Sequence, residues 1–320
     1  MREIPMRGLL ILCLITGLVS VGCITRSAKV EVSNWPNGYR SAVCTTFDTE
    51  RASQEDLIAI TSILKSKDIN ATFFIVSSYY QGAPEILKIL KDFEVASMSW
   101  NQTEWMLSDL NFHYQDIRIK DSDNWLKAHN FKPRGFRAPY LRYNGDTLKI
   151  IEELGYVYDS SKIGTMPQDN GVMEVPLAIN FDPFWSEKTM KYSTVPTYMA
   201  FKKTHNNGEL FSFYTHPEKA MKHLPQFIQF LDYIQERNVW TASCNEVAEW
   251  WRDRQSLEMS KNEEGVVVKN TGKRAIRGVT LKISPKREVV GAVSVVEEKD
   301  AVHAVLPDLN PGTEAVLRLM

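Results

Sequence analysis

Four stretches of this sequence end an apolar run on residues that can do chemistry. Thr46-Phe47-Asp48-Thr49-Glu50 ends on carboxylates, Phe136-Arg137-Ala138-Pro139-Tyr140 on a guanidinium, and Phe213-Tyr214-Thr215-His216-Pro217 on an imidazole. The fourth, Ala96-Ser97-Met98-Ser99-Trp100-Asn101-Gln102, offers a thioether, an indole and an amide. In parallel α/β folds, reacting groups collect at the carboxyl ends of strands and on the loops that follow. A carboxylate base, a cation to orient it and an imidazole acid at one mouth describe a hydrolytic site. Each alone has a plainer reading: a strand-end Asp is commonly a helix N-cap, and a single His a satisfied, half-buried residue. Their order along the chain is what argues for a site.

The elements that must position them are legible. Short β-rich runs lie at 42–47, 71–76, 95–98, 135–138, 172–176, 210–215 and 239–243. Helical patterns fill the gaps at 55–67, 84–91, 114–128, 146–154, 217–237 and 245–254. Leu57, Ile60 and Leu64 form the apolar stripe of the first helix. Alternating strands and helices imply a parallel sheet covered by helices, open or closed into a barrel, over residues 37–255. From Ser256 the pattern becomes strands and turns, with Asn270-Thr271-Gly272 and Asn310-Pro311-Gly312 as turn signals. Residues 256–320 therefore read as a separate small β-sandwich, a spacer or binding module. The Ser186–Lys203 stretch reads as a long insertion of the kind that forms lids or binding loops.

Composition narrows the function classes. Lys and Arg number 38 against 39 Asp and Glu, a net charge of −1 that argues against nucleic-acid binding. Four cysteines without CxxC spacing exclude a disulfide scaffold or a Cys-ligated zinc module, and no phosphate-binding glycine motif is present. Arg2 and Arg7 precede an uncharged run at 8–22, the pattern of a secretory signal over residues 1–22. Ser20-Val21-Gly22-Cys23 resembles a lipobox with Ser20 in place of the usual leucine, which would make Cys23 a lipidated mature N-terminus. A plain signal peptide or an uncleaved anchor is the alternative. Each places the protein outside the cytoplasm, associated with the cell surface or its membrane. Cys44 and Cys244 would then sit in an oxidising compartment, as two buried thiols or as a pair.

The order of the four segments resembles the polysaccharide deacetylase family, the NodB-homology domain of family 4 carbohydrate esterases, over residues 40–250. Residues 154–161 (LGYVYDSS) match as well, and the pairing of Phe47-Asp48-Thr49-Glu50 with Phe213-Tyr214-Thr215-His216-Pro217 looks like the subgroup with FDxE and FYxHP motifs. The resemblance implies a deformed parallel (β/α) barrel and a divalent metal, usually zinc, whose bound water attacks the acetamide of an N-acetylated sugar. It makes Asp48 the general base, Arg137 its orienting cation and His216 the acid that protonates the leaving amine. The Tyr140 backbone N–H would help hold the oxyanion. Trp100, Trp105, Pro139 and Tyr140 would border the sugar, and Tyr143, Trp185, Tyr192 and Tyr198 are further aromatic candidates. Trp240, Trp250 and Trp251 read as core.

One part of the family pattern is missing. Its two metal-binding histidines fall on Met98 and Gln102, and its acidic ligand on Thr49 or Glu50. No two histidines in the chain stand three or four residues apart. A thioether and an amide are poor zinc ligands beside imidazole. Bound zinc lowers the pKa of water from about 15.7 to about 7, so its loss removes the nucleophile. The sequence therefore favours a catalytically impaired, glycan-binding homologue with no cofactor expected. Two alternatives stay open: an active de-N-acetylase using Asp48, Glu50, Gln102 and Glu104 around zinc or another divalent metal, and a structural adaptor.

Overall fold

The structure is a computed structural model that describes residues 28–320 apart from 51, 103–106, 183, 187–190 and 263–264; of the hairpin around these at 184–193 only the backbone is described. The predicted signal at 1–22, Cys23, Glu104 and Trp105 lie outside the described residues.

A curled, mostly parallel sheet of ten strands forms the first domain, a deformed (β/α) barrel. At its centre the strand Ser41–Thr49 pairs with Ala71–Ile75 on one side and Leu210–Thr215 on the other. Beyond Ala71–Ile75 follow Glu94–Ser97, Gly135–Phe136, Tyr158–Asp159 and Val172–Glu174. The chain then runs from Val172–Glu174 into Ile179–Asn180, which pairs with Leu210–Thr215, so one extended stretch holds both ends of the sheet. The short strand Gly135–Phe136 has a steric reason for its glycine: a Cβ there would stand 1.9 Å from the Tyr158 ring.

Period-two alternation sorts the side chains into two layers. Along Ser41–Thr49, Ala42 and Cys44 enter one core cluster and Val43 and Phe47 the other. Phe74 and Ala96 share the cluster of Cys44, while Phe73, Ile75 and Val95 join that of Phe47 under the helices. The helix Gln54–Ser66 buries Leu57, Ile60 and Leu64, and Ser53 with Asp56 caps it by a reciprocal capping box. Cys44 and Cys244 are both buried free thiols.

Three expectations change. The region 217–237 is two helices, Pro217–Lys222 and Leu224–Gln235, with Pro225 in the first turn of the second, where a proline is tolerated. The predicted insertion at 186–203 contains the helix Val195–Asn207, closed by Gly208 at φ 71°. Its Phe201 is fully buried, and Tyr198 packs edge-on against Phe230 and Tyr233, so this part covers the barrel wall and Tyr198 is a packing residue.

The C-terminal region carries the strands of two four-stranded sheets, and its contacts reach beyond it. Lys29–Val32, far upstream, supplies an edge strand to Thr280–Ser284. Val266, Leu281 and Leu317 of the module share one core cluster with Ala42, Cys44 and Trp250 of the barrel. Of the tryptophans expected in the core, Trp250 is buried, while Trp240 and Trp251 are half-buried and pack against the buried Trp35 with ring centroids 6.4 and 5.5 Å apart. The apolar base of the barrel explains the attachment, since leaving it wet would cost about 25 cal/mol per Å².

Candidate active site

The alternation that fills the core also builds the mouth. Strand Ser41–Thr49 carries Ala42 and Cys44 inward, and Thr46 and Asp48 continue the same face. Met98 follows Ala96 in the same way, and Tyr214 and His216 continue the face of Leu210. Asp48, Glu50, Met98, Gln102, Tyr140, Leu141, Tyr214 and His216 line one cleft of about 360 Å³.

Asp48 and Arg137 form the buried frame. Nη1 of Arg137 donates to Asp48 Oδ1 at 2.6 Å and to Thr46 Oγ1 at 3.0 Å. Its Nε and Nη2 donate to the carbonyl and hydroxyl of Ser160, at 3.1 and 3.0 Å. The guanidinium is fully buried and stacks 3.8 Å from the centre of the Phe74 ring. Four of its five N–H donors have acceptors fixed in the fold, so Asp48 is held in one orientation.

His216 sits between two carboxylates. Its Nδ1 lies 3.1 Å from Asp182 Oδ2, and its Nε2 lies 3.5 Å from Glu50 Oε1. Burial opposes the charge, but the Asp182 hydrogen bond and the charges of Asp48, Asp182 and Glu50 outweigh it and raise the imidazole pKa to about 9. It is a cation at neutral pH, suited to donate a proton. Asp182 is itself held by Thr215 Oγ1, which donates at 2.7 Å, and the imidazolium helps keep its pKa low. Burial raises the Glu50 pKa, opposed by His216 and reinforced by Asp48.

Asp182 was not singled out from sequence. It stands two residues after a short run, Ile179–Asn180, whose pairing beside the strand leading to His216 no local pattern shows. Replacing it tests the arrangement. Asp182→Asn is expected to lower the His216 pKa from about 9 toward the ordinary 6.5, read from the imidazole proton shifts across pH. Because the folded pKa is raised, the stability that His216 contributes is fully present below about 6.5 and lost as pH rises through about 9. A pKa unchanged in Asp182→Asn overturns the assignment.

The residues at the family's metal positions do not fit a metal. Thr49 falls on the outward parity of its strand, fully buried, and its hydroxyl donates to the Phe74 carbonyl at 2.6 Å. Of the two candidates for the acidic position, Glu50 is the one that lines the cleft. Met98 is 2% exposed, and the Gln102 amide approaches its sulfur at 3.8 Å. Among the described residues no three His, Cys, Asp or Glu side chains gather as ligands. One carboxylate, a thioether and an amide make a weak set for zinc, and the nearest imidazole is charged and engaged by Asp182.

Tyr140 stands on the rim, 54% exposed, after the buried Pro139. Tyr140 and Leu141 both adopt left-handed backbone, φ 56° and 57°, which non-glycine residues rarely do. Leu141 N–H and Arg142 N–H close turns onto Ala138 and Pro139, and among the described residues the Tyr140 N–H has no acceptor. Tyr140 lines the same cleft as Asp48, and an oxyanion-binding role requires an amide left free in this way. Trp100 is half-buried and is not among the residues that line the cleft, and its backbone is hydrogen-bonded to Ser78 and Arg118. Tyr143 lies elsewhere, in a small cavity with Asp159 and Glu174. Tyr214, which sequence reasoning passed over, lines the mouth instead.

Comparison with known proteins agrees with this geometry. Residues 37–158 match the family described as polysaccharide deacetylase. This first part of the barrel is similar to that family. Structures assigned as polysaccharide deacetylases from Mycobacterium smegmatis and Pseudomonas aeruginosa PAO1 are similar at 18% and 16% identity, with TM-scores of 0.58 and 0.56. The matches cover 69% and 70% of this chain, and 93% and 95% of those chains. A structure of Puue allantoinase is similar at 14% identity and TM-score 0.56, covering 69% of this chain and 93% of its own. These likenesses show the fold alone, and the fold hosts more than one chemistry. No curated protein matches the chain in sequence.

Proposed function

We propose that this deacetylase-family protein binds an N-acetylated glycan at the mouth without hydrolysing it, and that it works outside the cytoplasm, held at the membrane by a lipid on Cys23 or an uncleaved anchor. The observation that carries the reading is the mouth itself. The polar frame of Asp48, Arg137, Asp182 and His216 is intact, while Met98 and Gln102 occupy the places of the metal imidazoles. Such a frame can still receive a sugar: carboxylates accept from hydroxyls, the Tyr140 N–H and the His216 imidazolium donate to an acetamide carbonyl, and the Tyr140 ring offers a face.

The hydrolase alternative asks Asp48, Glu50, Gln102 and Glu104, the last outside the described residues, to hold a metal. Asp48 is engaged by Arg137, and Glu50 faces His216. Titration calorimetry with chitooligosaccharides, paired with an acetate-release assay with and without added zinc, tests the reading. The expected result is saturable binding with no acetate released. Acetate release by the unmodified protein supports the hydrolase, and neither binding nor release supports the adaptor.

A further inference from the structure

A second cavity, of about 450 Å³, lies where the N-terminal strand and the β-module meet the base of the barrel. It shares no lining residue with the mouth. Its walls come from residues 31–40, the end of the helix Val195–Asn207, the last turn of the helix Cys244–Gln255 and the module's strands.

Arg254 sets its chemistry. The side chain is half-buried, and its Nε and Nη2 donate to the backbone carbonyls of Ser33 and Val32, each at 2.9 Å. Among the described residues no carboxylate lies within ion-pair distance of it. Burial lowers its pKa with no acid to offset the effect, yet a guanidinium stays charged. A desolvated cation without a counter-ion is costly, and an anion in the cavity would relieve it. Lys282, on the module's wall, likewise has no ion pair among the described residues. His303 beside it is 6% exposed, and its Nε2 makes no hydrogen bond, with only Glu298 nearby at 3.5 Å.

The walls also carry acceptors. Glu298 stands 3.4 Å from Arg40, and Glu31 2.6 Å from Lys29. A bare phosphate would gain from Arg254 and Lys282 but be repelled by Glu298 and Glu31. A ring carrying one carboxylate and several hydroxyls uses both signs: cations for the carboxylate, Glu298 and neighbouring amides for the hydroxyls. The volume suits a small ligand of this kind.

We propose that this cavity is a second binding site, for a saccharide that carries a carboxylate, such as a uronic or muramic sugar. It does not depend on how the mouth is read. Titration of the full chain with glucuronic acid, N-acetylmuramic acid, N-acetylglucosamine and inorganic phosphate tests it, by calorimetry and tryptophan fluorescence. Each titration is repeated with excess neutral chitotriose to fill the mouth.

At least one acidic sugar should bind saturably with the mouth filled, about tenfold more tightly than N-acetylglucosamine or phosphate. Lys282→Met and Arg254→Met should each weaken it about tenfold. Arg254 also fastens the N-terminal strand through its side chain; Lys282 meets that strand opposite Glu31 through backbone pairing, which Lys282→Met leaves in place, so Lys282→Met gives a reading even if Arg254→Met unfolds. No binding, equal binding of the neutral sugar or of phosphate, or affinity unmoved by Lys282→Met overturns the proposal.

Discussion

Arg137→Met should destabilise the protein by about 3–5 kcal/mol, the range for removing one partner of a buried ion pair. The guanidinium is fully buried and carries donors to Asp48, Thr46 and both oxygens of Ser160. Its loss leaves Asp48, 5% exposed, with an uncompensated charge under the mouth. In the double variant Asp48→Leu/Arg137→Met the loss should be smaller than the sum of the single losses, because neither charge is then stranded. Denaturant melts of the four proteins give the coupling. A cost below about 1 kcal/mol for Arg137→Met, as for an exposed pair, would mean that water reaches the frame and Asp48 is not held.

The largest gain should come from replacing Met98 and Gln102 together by histidine. Their side chains already meet at 3.8 Å, so two imidazoles there would face the cleft as neighbours. Glu50 then supplies the carboxylate. Thr49→Asp is the poorer third ligand, because it would remove the hydroxyl that donates to the Phe74 carbonyl in a fully buried place. The double variant should bind zinc stoichiometrically by metal analysis, and acetate release from chitooligosaccharides should appear only with zinc. Asp48→Asn or His216→Ala added to it should abolish that release and leave the zinc. Stoichiometric zinc in the unmodified protein, lost on Glu50→Ala, would show that the present ligands suffice and would favour the hydrolase.

Much of this site was legible in the sequence because strand ends and strand parity are local. Asp48, Arg137 and His216 each close an apolar run, and the structure brings Asp48 and His216 to one cleft over the buried Arg137. Parity alone also separates Thr49 from Glu50: if Asp48 points inward, Thr49 points outward. The two metal positions left open by motif comparison could have been reduced to one on that ground. What escaped were residues whose meaning depends on a neighbour distant in sequence. Asp182 matters because Ile179–Asn180 lies beside Leu210–Thr215, whose strand leads to His216.

The sequence by itself determined the alternation of strands and helices in the first domain, the strand-and-turn pattern of residues 256–320 and the types of the mouth residues. Those follow from side-chain period, turn chemistry and residue identity, all readable within a short window. Only the tertiary structure decided that Lys29–Val32 completes the module, that module and barrel share a core, and that Arg254 faces a cavity without an acid beside it. The reason is physical: which apolar surface covers which, and which charge is left unpaired, depend on long-range closure that no local pattern encodes.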